Sequence, residues 1–357
     1  MKRCNLCILP SSFPNIVFNK DGICNHCLEY NEISYKGKLA LEKILESHKN
    51  KEKKYNCIVP LSGGKDSTFV LYYAVKMLNL KPIAINYDSG FQTKIAKENI
   101  KNICEILNVP LIIKKANKIN KKILKEALLI SETLGSFFGI CGNCEAILRS
   151  ISINLAKKKN ISLILWGATS FENTAEDRYV IESNVVGKEG FIRNLRNVKK
   201  FFRIFPHIIN YYFFSVIQRI QMGVPKKYIF NILNQVPFPK KQIKVIYFFD
   251  YIKYDTIKII QTLKKEVKWK SPINKKDRFD CLLHSLINHH TLQLLGISID
   301  GYIYSNLVRN GTLTRSEALL KEKHIEKTMD KECRNIINEL DLKDYKMPVI
   351  KKSYKII

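Results

Sequence analysis

A glycine-rich turn caught between an apolar run and a helical pattern constrains this chain more than any other feature. Cys57-Ile58-Val59-Pro60-Leu61 is the kind of short run a buried parallel strand uses, despite its proline. Ser62-Gly63-Gly64-Lys65-Asp66-Ser67 follows, and Thr68 to Leu78 then carries apolar residues at helical spacing. Glycines let a backbone turn sharply and approach an anion closely. A helix N-terminus adds unpaired N–H groups and the positive end of a dipole. With hydroxyls from Ser62 and Ser67 and the Lys65 ammonium, the turn reads as a cradle for linked phosphates. A Gly-Gly turn that binds nothing would use some of the same letters; the setting between strand and helix favours the cradle. It is not a Walker A loop, which needs Gly-x-x-x-x-Gly-Lys-Ser/Thr.

The alternation continues downstream. Pro82 to Tyr87, Leu111 to Ile113 and Ser162 to Trp166 are further strand candidates, and Ile95 to Leu107 is a second helix. Strands alternating with helices predict a doubly wound parallel α/β sheet that binds ligands at the C-terminal ends of its strands. Residues 1–30 form a compact cysteine-bearing segment, 31–54 a helical linker, and 55–185 the α/β domain. Residues 186–249 read as a basic aromatic insertion and 250–357 as a helical C-terminal region. Between Gly190 and Phe249 there is no Asp or Glu, while Phe, Tyr, Lys and Arg are dense.

The pattern Ser-Gly-Gly-x-Asp-Ser resembles the PP-loop of the ATP pyrophosphatases, the superfamily of GMP, asparagine and NAD synthetases and tRNA thiolation enzymes. The resemblance covers about residues 55 to 180. It implies an adenine nucleotide alpha-hydrolase-like fold and an enzyme that splits ATP into AMP and pyrophosphate with Mg²⁺. It also implies that Ser62, Gly63, Gly64, Lys65, Asp66, Ser67 and Thr68 line the phosphate site, with Lys65 and Asp66 catalytic. Asn86 and Asp88, in Asn86 to Phe91, and Gly167, opening the run to Asp177, would surround the nucleotide. That last run also suits a helix N-cap with acids in its first turn.

Ten cysteines are present. Cys4-x-x-Cys7 and Cys24-x-x-Cys27 have the spacing of a tetrahedral structural Zn²⁺ site. Cys141-x-x-Cys144 is a lone clasp with three open readings: half of an iron–sulfur site, a catalytic thiol pair, or a structural pair. Cys281 is a candidate third ligand. His284, His289 and His290 read as ordinary helix residues, although Asp280 to His284 could reach a substrate pocket.

Two finer resemblances diverge. Arg3 to Pro10, Phe13 to Phe18, Asp21 to Cys27, Asn86 to Phe91, Phe248 to Ile252 and Gly311 to Leu319 are similar to N-acetyl sugar amidotransferases of surface-polysaccharide synthesis. That likeness implies adenylation of an acetamido carbonyl on a nucleotide- or lipid-linked sugar, and its displacement by ammonia from a separate glutaminase. The rival is a tRNA-thiolating sulfurtransferase, which would use the basic aromatic stretch to grip tRNA. The stretch also suits a peripheral membrane contact or a helical subdomain with buried aromatics. A third reading is a non-catalytic zinc- and nucleotide-binding protein, against which the intact loop argues. The formal charge of +28 points to an anionic partner but names none, since Lys is scattered throughout. Without an apolar run of about eighteen residues or a signal-peptide h-region, the expected location is cytoplasmic.

Overall fold

The computed structural model describes residues 1–48, 54–134, 140–169, 171, 198–230, 237, 243–272, 278–339 and 345. Five parallel strands form one sheet: β1 (Cys57–Pro60), β2 (Pro82–Asp88), β3 (Leu111–Lys115), β4 (Leu163–Trp166) and β5 (Lys244–Tyr247), in the order β3-β2-β1-β4-β5. The strand order reverses between β1 and β4, where the loops leave the sheet in opposite directions and open a crevice at the strand C-termini. Pro60, at the end of β1, has no N–H to donate, and β1 meets β4 at Ile58 and Ile164, one turn of the pleat earlier.

Alternating side chains sort the core into two layers. Val59, Leu61, Ala84, Leu163, Leu165 and Ile246 face α3 (Lys65–Lys76), α4 (Lys94–Ile106) and α9 (Thr256–Val267). Ile58, Ile83, Ile85, Ile164 and Trp166 face α6 (Ile140–Lys158). The sheet is therefore covered on both faces, as the sequence pattern requires of a doubly wound fold.

The flanking segments join this core. A single turn, α1 (Asn25–Leu28), closes the cysteine-bearing segment, and α2 (Lys38–Glu46) inserts Leu41 and Leu45 into the α3 layer. Phe248 and Phe249, in the 3-10 turn after β5, stack around Phe69 of α3. The basic aromatic stretch supplies both α7 (Val198–Gln221), which packs along α5 (Asn117–Leu134), and the edge strand β5. A short turn, α8 (Lys226–Ile229), follows α7. The C-terminal region is helical: α10 (His284–Leu295), α11 (Ile299–Arg309) and α12 (Arg315–Glu339) pack on one another. No helix among the described residues is long and apolar enough to cross a membrane.

Candidate functional site

The loop between β1 and α3 sits at the sheet's crevice, and its shape follows from a few short-range bonds. Ser67 Oγ accepts the Ser62 N–H at 3.1 Å, and the two hydroxyl oxygens meet at 3.1 Å. The Gly64 N–H donates to Ser62 Oγ at 3.3 Å. Gly63 takes φ +85°. Its carbonyl accepts from Trp269 Nε1 at 3.1 Å and from Asn99 Nδ2 at 3.2 Å, so α4 and the segment after α9 pin the turn from behind. A Cβ at Gly63 would overlap the Ala96 carbonyl. Gly63→Ala combines a left-handed backbone penalty with that overlap, for an expected loss of about 2–5 kcal/mol of stability. Denaturant unfolding of the variant beside wild type measures it.

Lys65 opens α3 and is buried, with Nζ 2.9 Å from Asp66 Oδ2 and 5.8 Å from the Tyr254 ring centroid. Thr68 lies deeper, its hydroxyl donating back to the Gly64 carbonyl at 2.6 Å. Gly167, at the end of β4, packs directly on the loop, since a Cβ there would meet the Ser67 backbone at 3.1 Å. Asn86 and Asp88 support the loop's surroundings. Asn86 Nδ2 donates to the Leu61 carbonyl at 2.7 Å, while Asp88 accepts from the Gly90 N–H at 2.9 Å and pairs with Lys97 at 3.1 Å. Of the acidic run expected after Gly167, residues 172–177 lie outside the described residues.

A cleft of about 290 Å³ lies over the loop. Ser62, Gly64, Lys65, Asp66 and Ser67 form its floor, and Trp166, Gly167 and Ala168 one wall. The opposite wall comes from Arg278, Asp280, Cys281 and His284. An antiparallel bridge between Gln92 and Cys281, and a bond from the Leu282 N–H to the Phe91 carbonyl at 2.8 Å, bring that distant segment in. A Cβ on Gly64 would stand 3.2 Å from Asp280 Oδ2, which places this carboxylate at the mouth of the loop. A cation and two carboxylates around backbone amides make a site that can hold a polyphosphate together with a divalent ion.

His284 departs from the ordinary helix residue that its sequence context suggests. It lines the cleft while its Nε2 meets Asp300 Oδ1 at 2.8 Å, and Asn288 donates to the other Asp300 oxygen at 2.9 Å. Burial opposes charge on Asp300. His284, Arg278 and Asn288 outweigh it and hold the carboxyl below its usual range. His289 and His290 are buried, and His290 Nε2 meets the Tyr345 hydroxyl at 2.5 Å.

Cys281 lies in the cleft wall, and Cys141 and Cys144, near the start of α6, are within electrostatic reach of it. Burial, then the neighbouring Cys141, pushes Cys144 up to about 12. Burial, Cys141 and Asp280 raise Cys281 likewise. A cation bound beside Cys144 and Cys281 would oppose that rise by favouring the thiolates. Asn143, inside the same clasp, is buried and accepts from Arg219 Nε at 3.0 Å while donating to Gln218 at 2.6 Å. That part of the motif fastens α6 to α7.

The other cysteine set fits a metal directly. The ligand atoms of Cys4, Cys7, Cys24 and Cys27 lie within 4.8 Å of one another. Their sulfur separations of 3.8, 3.8 and 3.5 Å are close to the roughly 3.8 Å edge of a tetrahedron with about 2.3 Å Zn–S bonds. The Cys24 N–H donates to Cys4 Sγ at 3.2 Å and the Leu9 N–H to Cys7 Sγ at 3.5 Å. Four adjacent thiols cannot all ionise alone. Hydrogen bonds from Cys24 and Cys27 draw Cys7 down, and Cys24 is pushed up as their donor. Arg315 Nε holds the carbonyls of Cys4 and Cys7 at 3.0 and 3.1 Å, and Phe13 stacks on Tyr302. The four-cysteine segment is thus locked to α11 and α12.

Residues 56–175 match the family model described as queuosine biosynthesis protein QueC. The matched segment runs from β1 past β4 and contains the phosphate loop and Gly167. An uncharacterized protein of Methanocaldococcus jannaschii, MJ1599, is 34% identical over 116 residues. The alignment covers 31% of this chain and 42% of that protein, so the chain spans less than half the length of this relative. A solved structure, the U34-tRNA thiolase NcsA from Methanococcus maripaludis with its [4Fe-4S] cluster, aligns over 100% of this chain and 94% of its own. At 13% identity and a TM-score of 0.36, that likeness is too distant to carry an argument.

Proposed function

We propose that the protein is a PP-loop ATP pyrophosphatase that adenylates an oxygen of its acceptor. The observation carrying this reading is the loop itself: Ser62 to Ser67 in a fixed turn at the sheet's switch point, with a buried lysine aimed at the cleft. ATP lies with its β- and γ-phosphates over the Gly63–Gly64 amides and the α3 N-terminus. The acceptor oxygen attacks the α-phosphorus, the bond to the bridging β-oxygen breaks, and pyrophosphate leaves. A second nucleophile then displaces AMP from the activated carbon. Lys65 and the loop amides stabilise charge growing on the leaving pyrophosphate, and the cleft walls hold the reactants in line. Asp66 and Asp280 are the carboxylates that would hold Mg²⁺, which neutralises pyrophosphate when bound. Cys4, Cys7, Cys24 and Cys27 hold Zn²⁺ in a structural role.

For the second nucleophile, the sulfur reading is favoured by Cys281 in the cleft wall with Cys141 and Cys144 near it. The three sulfurs are not gathered as closely as those of Cys4, Cys7, Cys24 and Cys27; with a cluster bound between them, such a trio would suit an iron–sulfur site that holds sulfide for thiolation of tRNA. The QueC description names the biosynthesis of a nucleoside, which supports a nucleobase acceptor but favours neither sulfur nor nitrogen as the second nucleophile. The nitrogen reading, a sugar amidotransferase fed by a glutaminase, is supported by a different observation. Two of the segments resembling that family pack together, Arg315 of the Gly311–Leu319 run gripping the Cys4 and Cys7 carbonyls.

Anaerobically purified protein incubated with ATP, tRNA and sulfide, or with ATP, an N-acetylated nucleotide sugar and ¹⁵N-ammonia, tests both. The sulfur reading expects AMP release that depends on tRNA, with a mass gain of sulfur for oxygen. AMP release dependent on the sugar, with ¹⁵N in the product, would replace it with the nitrogen reading.

A further inference from the structure

The 24-residue helix α7 buries one side and leaves another exposed in an orderly way. Ile204 and Tyr211 are buried, as are Ser215 and Gln218, on the side that packs along α5. Ile209, Phe213 and Ile220 are 52%, 59% and 57% exposed, and Phe202 and Phe205 extend the row toward the helix N-terminus. At about 100° per residue these five positions fall within an arc of about 80°, over a length of about 27 Å. That is an apolar stripe on the outside of the protein, formed at the period of the helix.

The stripe has a basic border. Lys118, Lys121, Lys122 and Lys125 are exposed along the neighbouring α5, and the Lys122 ammonium sits 5.1 Å from the ring centroid of Phe214, beside Phe213. Lys226 and Lys227 are exposed just past the other end of α7. No acidic residue occurs between Gly190 and Phe249. Glu126 of α5 is buried against His207, with their polar atoms 2.6 Å apart.

We propose that α7 is an interfacial helix that seats the protein on an anionic lipid surface. The Phe and Ile side chains enter the headgroup–acyl boundary, and the flanking lysines meet lipid phosphates. Phe202, Phe205 and Phe213 could stack on bases, but Ile209 and Ile220 in the same row cannot. A continuous mixed Phe and Ile stripe matches an acyl boundary, so a bilayer suits the row as a whole better than RNA. A second copy of the chain fits poorly, since each carries a formal charge of +28 and the faces would be alike in sign. The inference does not depend on which acceptor the cleft takes.

The test is co-sedimentation of the full chain with large vesicles of phosphatidylcholine alone and of phosphatidylcholine mixed with phosphatidylglycerol. Binding is expected to the mixed vesicles only and should weaken as salt rises. Phe213→Asp/Ile220→Asp should lower partitioning at least about tenfold, and Lys118→Glu/Lys122→Glu should lower it on anionic vesicles. Circular dichroism melts establish that the exposed-site variants fold. The proposal is overturned if the wild type stays in the supernatant with mixed vesicles, or if folded Phe213→Asp/Ile220→Asp binds them as well as wild type. It is equally overturned if that variant instead abolishes RNA binding or a dimer seen by light scattering, with lipid binding unchanged.

Discussion

Lys65→Ala is expected to cut acceptor-dependent AMP formation by about 10²–10³-fold, the scale of losing one fixed charge donor in a water-poor site. The side chain is buried at the first turn of α3, and its ammonium lies 2.9 Å from Asp66 in the floor of the cleft. Solvent cannot supply a substitute at that position with the same orientation. Alanine is a good helix former, so the melting temperature should move by only a few degrees. The loss should appear mainly in kcat, because the charge on pyrophosphate grows as the α–β bond breaks. A variant that folds and turns over ATP at the wild-type rate would remove Lys65 from the reaction.

Cys24→Ser carries the second large effect. Cys24 lies within 3.8 Å of Cys7 Sγ and 3.5 Å of Cys27 Sγ, so its loss opens the tetrahedron. Zinc content should drop from about one per chain to near none. The consequence should spread beyond the first thirty residues. Cys4, Cys7, Ile8, Leu9 and Phe13 share a core with Leu292, Leu295 and Tyr302 of α10 and α11. Releasing the module uncovers those side chains and should cost several kcal/mol, within the range set by structural zinc sites. Elemental analysis and a thermal melt of the purified variant read both effects. Unchanged metal content would refute the four-cysteine assignment.

The strands of the sheet were legible where the chain follows the rule for buried parallel strands. Cys57–Pro60, Pro82–Asp88 and Leu163–Trp166 are continuous apolar or near-apolar runs, and each is buried along its whole length. The fifth strand escaped notice because Lys244–Tyr247 is an edge strand embedded in a basic aromatic stretch. Its exposed lysine and short Val-Ile-Tyr run give little period to read. The loop's turn and the gathering of the four cysteines were legible for a different reason: both follow from local spacing, which the fold preserves.

The far wall of the cleft was legible only in part: Asp280 to His284 read as a run that could reach a substrate pocket, but not as one that meets the Ser62–Ser67 loop. Arg278, Asp280 and His284 reach the loop only because Cys281 bridges Gln92, a long-range pairing that no local pattern encodes. His284 is told from His289 and His290 by lining the cleft while pairing with Asp300 on the next helix; His289 pairs instead with Asp330 at 3.5 Å. Asn86 and Asp88 show the opposite case. Their positions at the end of β2 were readable, but their side chains are engaged in bracing Leu61 and Gly90.

The central claim is that the Ser62–Ser67 loop directs cleavage of ATP between its α- and β-phosphorus atoms. Phosphorus NMR of ATP consumed by the purified protein, with Mg²⁺ and its acceptor present, tests it most directly. AMP and pyrophosphate are expected to accumulate in equimolar amounts, the pyrophosphate resonance growing with twice the intensity of the AMP resonance. Resonances of ADP and orthophosphate in their place would contradict it.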